Sequence, residues 1–353
     1  MNPTAINTRY RPMYRTKSSI NGFSLVELMI GMTLGLVGML IVAQVMSTNA
    51  SFQASTNAAG EAQTVGNLSL YTIERDLKQA GFGISTPSLL GCQLTGWSNS
   101  SSSVISQPLY PVSIDDGATA DDSDAITIAY GTSETRMGSV ALASTYDGSA
   151  SDINVQNRFG YFIGDFFVLA QITNPATNCV MGQITAIPST SLTALSHAAS
   201  AQNYNRANGE NISFNPQIAE FYNLGGGFTF NTYSVNANHQ LIQKSNLSGN
   251  SAAIAENVYV FKARYGHDSD GDGTVDTWDA VVPTTTTAWG RTTNVRIGLA
   301  VKSPQREASL VSTSTLQLWP DGPTVTLSSE DQHYRYRTYN SIVPIRNMIW
   351  RTF

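Results

Sequence analysis

Catalytic signatures are missing from this 353-residue chain. It contains no G-x-S-x-G elbow, phosphate loop, H-E-x-x-H or C-x-x-C, the local patterns that mark serine hydrolases, nucleotide sites, zinc hydrolases and dithiol centres. The four histidines, His197, His239, His267 and His333, show no metal-ligand spacing beyond the adjacency of His267 to an aspartate-rich segment. An enzyme is therefore not expected. Charge is also scarce: Asp, Glu, Lys and Arg make up 13% of the chain, against about 25% in an average soluble protein. Ser, Thr, Asn and Gly fill the polar positions, which suits an exported protein better than a cytosolic enzyme. From residue 23 to about residue 80 there is no proline, so nothing in that stretch forbids one continuous helix. No internal repeat of useful length is present.

What is present begins with a short basic leader. Residues 1–22 hold Arg9, Arg11, Arg15 and Lys17 and no acid, and removing this +4 from the chain's −5 leaves −9. That balance argues against nucleic acid as a direct partner. The leader lacks the apolar stretch that an ordinary secretory signal carries before its cleavage site. Instead the apolar run follows it: Gly22-Phe23-Ser24-Leu25-Val26-Glu27, then Leu28 to Met46 without a charge. Nineteen helical residues span about 28 Å, enough to cross a bilayer. Glu27 at the mouth of this run is costly and hence a functional candidate; the plain alternative is a carboxylate at the headgroup boundary of a simple anchor.

The Gly22-Phe23-Ser24-Leu25-Val26-Glu27 string resembles the class III signal of type IV prepilins. The resemblance implies that a prepilin peptidase cuts after Gly22, that Phe23 becomes the methylated N-terminus, and that Glu27 is the buried assembly carboxylate. Physically, the cut exposes a cationic amine one helical turn from Glu27, and a desolvated cation and anion offset part of each other's cost. Gly31 and Gly35 form a G-x-x-x-G pair that allows close helix approach, with ordinary membrane-helix composition as the alternative. Given export, Cys92 and Cys179 are expected as a disulfide joining positions 87 apart, with two buried free thiols as the alternative.

The expected organisation is a leader at 1–22, a transmembrane and fibre-core helix at 23–46, an amphipathic second half of that helix at 47–81, and a β-rich globular region at 82–353. In the second half, Val65, Leu68, Leu70, Ile73 and Leu77, with Tyr71 or Thr72, recur at helical spacing, and Lys78-Gln79-Ala80-Gly81 supplies a stop. Strands are expected at 125–130, 166–172, 258–265, 295–301 and 334–344, with a hairpin at 226–244 turning near Asn236. Loops are expected at 98–103, 138–152 and 189–211, and an inserted subregion around 100–215. The fold class is α+β: a long helical spine packed on an antiparallel sheet domain. The Ile73–Gly81 helix end, the 258–265 strand running into an Asp-rich loop, and the closing Ile342-Val343-Pro344-Ile345-Arg346-Asn347 resemble the PilW-type minor pilins. That resemblance implies an inner-membrane single-pass protein with its N-terminus in the cytoplasm, later drawn into a pilus. Its implied partners are prepilin peptidase, the inner-membrane assembly platform, other minor pilins, the major pilin, membrane lipid before assembly, and a tip adhesin. A minor pseudopilin of type II secretion and a calcium-stabilised tip adhesin are the competing readings.

One chemical constellation stands in the β-rich part. Asp268, Asp270, Asp272, Thr274, Asp276 and Asp279 fall at positions 1, 3, 5, 7, 9 and 12 of a calcium-loop template, with Gly273 at position 6. Calcium is the expected ion, in a structural role, with a solvated acidic turn as the alternative. Asp279 replaces the usual longer glutamate, so weaker binding is expected. A second acidic group, Asp115, Asp116, Asp121, Asp122 and Asp124, lacks this register and reads as a solvated turn.

Overall fold

Unbroken apolar sequence, no proline and a serine at the right place begin a helix that runs Leu25–Gln79. The computed structural model describes residues 22–98, 100–135, 138–172, 178–199, 204–207 and 209–349; the leader ahead of Gly22 lies outside the described residues. Two compact units, Met1–Ser55 and Thr56–Phe353, divide the chain.

In the first unit every residue from Gly22 to Ala50 is exposed. Among the described residues this is the one helix long and apolar enough to cross a membrane. The second unit contains the rest of the helix and the sheets, and here the helix has a clear inner face. Ala58, Ala62, Gly66, Ser69, Ile73, Asp76, Leu77 and Ala80 are buried, the three- and four-residue spacing of one helical stripe. The expected stripe was bulkier: Val65 and Leu70 are only partly buried, and Leu68 and Tyr71 point outward at 54% and 63% exposure. Small residues win the inner face because the sheet comes close. A Cβ at Gly66 would run into the ring of Tyr339, whose hydroxyl also donates to the Ala62 carbonyl at 3.3 Å.

Two antiparallel sheets sandwich the main core with this half-helix. One is the four-stranded set ordered Thr277–Asp279, Val258–His267, Thr292–Lys302, Tyr336–Pro344. The other, five-stranded, contains Val112–Asp115, Ala125–Tyr130, Thr229–Val235, Leu241–Ser245 and Ser251–Ala255. Ile73, Leu77, Ile126, Ile128, Tyr233, Phe261, Val295, Ile297 and Leu299 meet there with essentially no exposure. The six-stranded third sheet is built from strands between Gln93 and Gly225 and has its own core around Leu94, Val168, Met181 and Leu224. The expected insertion at 100–215 is therefore threaded rather than separate, because Val112–Asp115 and Ala125–Tyr130 leave it to join the five-stranded sheet. Cys92 and Cys179 form a disulfide with Cα atoms 5.8 Å apart. It sits where Gln93–Ser98 pairs in parallel with Asn178–Gln183.

Candidate functional site

The helix start is capped locally. The Val26 N–H donates to Ser24 Oγ at 3.2 Å and the Leu28 N–H to the Ser24 carbonyl at 3.1 Å, satisfying donors that an uncapped terminus would leave to water. Glu27 is the third residue of the helix, so Ser24 and Glu27 have the spacing of a capping box, a signal that a reading of Glu27 as an intramembrane acid alone overlooks. The reciprocal bond from Glu27 back to the Ser24 N–H is absent among the described residues, and so is any ion pair to Glu27. The cap is made by the serine, without the carboxylate. Phe23 lies just outside at 84% exposure.

At the other end of the helix, three groups from distant sequence lock it down. Asp76 is buried, accepts a hydrogen bond from the Tyr233 hydroxyl at 2.6 Å and pairs with Arg75 at 3.1 Å. Gln243 Nε2 donates to the same tyrosine oxygen at 3.1 Å. The side-chain amide of Asn347 donates to the Gln79 and Ala80 carbonyls, both at 3.1 Å, taking up acceptors that a helix end leaves open. Gly81 turns the chain away at a φ of +83°.

The aspartate loop is shaped by two glycines, Gly271 and Gly273, with φ of +84° and +90°, angles that a side chain would resist. Asp268 is buried; its two carboxylate oxygens accept from the Gly271 and Gly273 N–H groups at 2.6 and 2.9 Å. One carboxylate oxygen from each of Asp268, Asp270 and Asp276 lies within 4.8 Å of the others. An oxygen-only donor set of this kind suits calcium. Of the other expected ligands, Asp272 accepts from the Thr274 N–H and hydroxyl at 2.7 and 2.6 Å. Asp279 faces away, with Oδ1 at 3.3 Å from His267 Nε2 and accepting from the Val281 N–H at 2.9 Å. The structure thus gathers three of the five expected carboxylates.

In the second acidic group Asp115, Asp116, Asp121 and Asp122 are exposed, as a solvated turn would have them, and Asp124 alone corrects that reading. Asp124 is fully buried against Lys262 Nζ and Arg264 Nη1, both at 2.8 Å, and accepts from the Ala263 and Gly117 N–H groups. Asp116 lies 3.1 Å from the same arginine. Asp121 accepts from the Thr326 N–H, and Asp122 holds Thr119. A lysine and an arginine 138 and 140 positions away cannot be matched to these acids from sequence proximity.

The sequence model for the family described as prokaryotic N-terminal methylation motif matches residues 17–43. That for type IV pilus-assembly protein W matches residues 231–347. Together the two matches are consistent with a type IV pilus-associated pilin of PilW type. No curated protein and no solved structure gives a significant match. The second match begins inside the Thr229–Val235 strand and ends on Asn347. It therefore spans Tyr233 and Asn347, which hold the end of the helix, and the aspartate loop. The strands between Gln93 and Gly225 lie outside it.

Proposed function

We propose that this chain is a minor pilin, a non-enzymatic subunit that helps initiate or cap assembly of a type IV pilus. The carrying observation is the pairing of the methylation motif with a capped, wholly exposed apolar helix that leaves Glu27 unused. The leader's positive charge holds the N-terminus in the cytoplasm and the β-rich unit reaches the periplasm. Prepilin peptidase cuts after Gly22 and methylates the new Phe23 amine. The assembly platform then draws the helix from lipid into contact with other minor pilins and the major pilin, where Glu27 of one chain meets the Phe23 amine of a neighbour and sets register. Deleting the gene tests the role. Loss of surface pili with normal exoprotein secretion is expected; loss of secretion with intact pili would instead favour a minor pseudopilin of type II secretion. Normal fibres that fail to attach would favour a tip adhesin.

A second reading concerns the aspartate loop, for which we propose structural calcium binding by Asp268, Asp270 and Asp276. Asp272, Thr274 and Asp279 complete the expected set only if they turn inward. The support is the convergence of the three carboxylates, with no Lys or Arg between 268 and 279 to neutralise them. Calorimetry with calcium on the detergent-solubilised protein should show binding that Asp270→Ala removes and Asp279→Ala barely changes. No heat and no thermal shift would end this proposal.

A further inference from the structure

Cross-strand register places Arg264 directly opposite Arg296 on neighbouring strands of the four-stranded sheet. Like charges so placed are destabilising unless each is neutralised. Arg264 is neutralised by Asp124 and Asp116. Arg296 is not: among the described residues it has no salt bridge, and its Nε is buried without a hydrogen-bond partner. Among the described residues its side-chain hydrogen bond is a long one, from Nη2 to Asn340 Oδ1 at 3.3 Å. Burial pulls the Arg296 pKa below its ordinary value, with the charge of Asp321 opposing.

The guanidinium is nevertheless held in place. It lies over the rings of Trp319 and Trp278, at 4.9 and 5.9 Å from their centroids, a cation–π arrangement that fixes its plane. Trp319 is itself fixed, because it covers Gly298, where a Cβ would collide with the indole. These side chains line a cleft of about 350 Å³ together with Arg264, Pro320 and Asp321, a size at the lower end of small-ligand sites. Its rim is the turn closed by the Gly322 N–H on the Trp319 carbonyl at 3.0 Å, with Asp321 at a φ of +58°.

We infer that this cleft binds a sugar ring bearing a carboxylate, of the hexuronic-acid class. The ligand carboxylate pairs with the fork of Arg296, which planar guanidinium geometry favours. The partly exposed face of Trp278 and the ring of Pro320 pack on the sugar's C–H surface, and Asp321 accepts from ring hydroxyls. An acidic peptide fits less well, since it brings no ring hydroxyls for Asp321 to accept from and no sugar face for Trp278 and Pro320. The site is independent of the role in pilus assembly: it lies on the β-rich unit and uses neither Glu27 nor the apolar helix.

Saturation-transfer NMR and calorimetry on the full-length protein in detergent micelles would test it, with D-glucuronate and D-galacturonate as probes and D-glucose, acetate and an aspartyl peptide as controls. Uronates should bind with saturation of their ring protons, glucose should not bind, and acetate should bind more weakly. Arg296→Lys keeps the charge but not the fork, and should weaken uronate binding about tenfold or more. Trp278→Ala should bring uronate down to the affinity of acetate. Thermal unfolding of each variant confirms that it is folded. Absence of uronate binding, equal binding of acetate, tighter binding of the peptide, or an Arg296→Lys variant that binds as well as the parent would each overturn the inference.

Discussion

The same helix obeys two different rules in the two units. From Gly22 to Ala50 it is exposed all round, although its side chains are mostly apolar; from Ala58 to Ala80 it buries a stripe of mainly small residues against a sheet. An apolar surface that the chain does not cover itself must be covered by something else, lipid or other helices. Gly66 and Ala62 against Tyr339 make a finished contact. The glycines show the contrast most sharply. A Cβ at Gly31, Gly35 or Gly38 meets nothing within 4 Å, whereas one at Gly66 meets an aromatic ring.

Perturbations of the second unit should therefore register in its own unfolding, and those of the first should not. The largest effect is expected from Lys262→Met, which removes one of two cations from fully buried Asp124 and should cost about 3 kcal/mol, read by chemical denaturation. Cys92→Ser with Cys179→Ser follows, at about 2–4 kcal/mol for a cross-link closing a long loop. Gly66→Ala should cost about 1–3 kcal/mol through overpacking on Tyr339. Gly35→Ala should leave that unfolding unchanged and alter only contacts between chains. Equal effects from the two glycine variants would break the comparison.

A smaller effect follows from His197. Burial lowers its pKa below the ordinary 6.5, and its ring packs edge-on to Tyr146 and Phe167. The unfolded chain then takes up this proton first, so the contribution is nil above about pH 6.5 and stability is lost as pH falls through the window below it. His197→Phe should flatten the fall in melting temperature between pH 6.5 and 5.5; an unchanged slope would contradict the assignment.

What could be read from sequence follows from how local the cause is. The methylation motif, the helix and its Gly81 stop depend on neighbours in the chain. So do the alternating strands at 125–130 and 258–265, and these were legible. The Ser103–Pro108 strand was not, because five of its six residues are exposed and only its pairing with Gln93–Ser98 makes it a strand. The burial of Asp76 has no local signal, since its partner Tyr233 lies 157 positions on. The aspartate loop was legible as a pattern of types, but the turning of Asp279 toward His267 was not. The arginine pair at the cleft needs strand register, which no local pattern contains.

The central claim is that the exposed apolar helix is a processed terminus built to meet other chains. Intact-mass analysis of the protein from membranes with and without prepilin peptidase tests it most directly. The account predicts a chain beginning at N-methylated Phe23 when the peptidase is present and the leader retained when it is absent. A mature chain that keeps residues 1–22, or begins at any other residue, would contradict it.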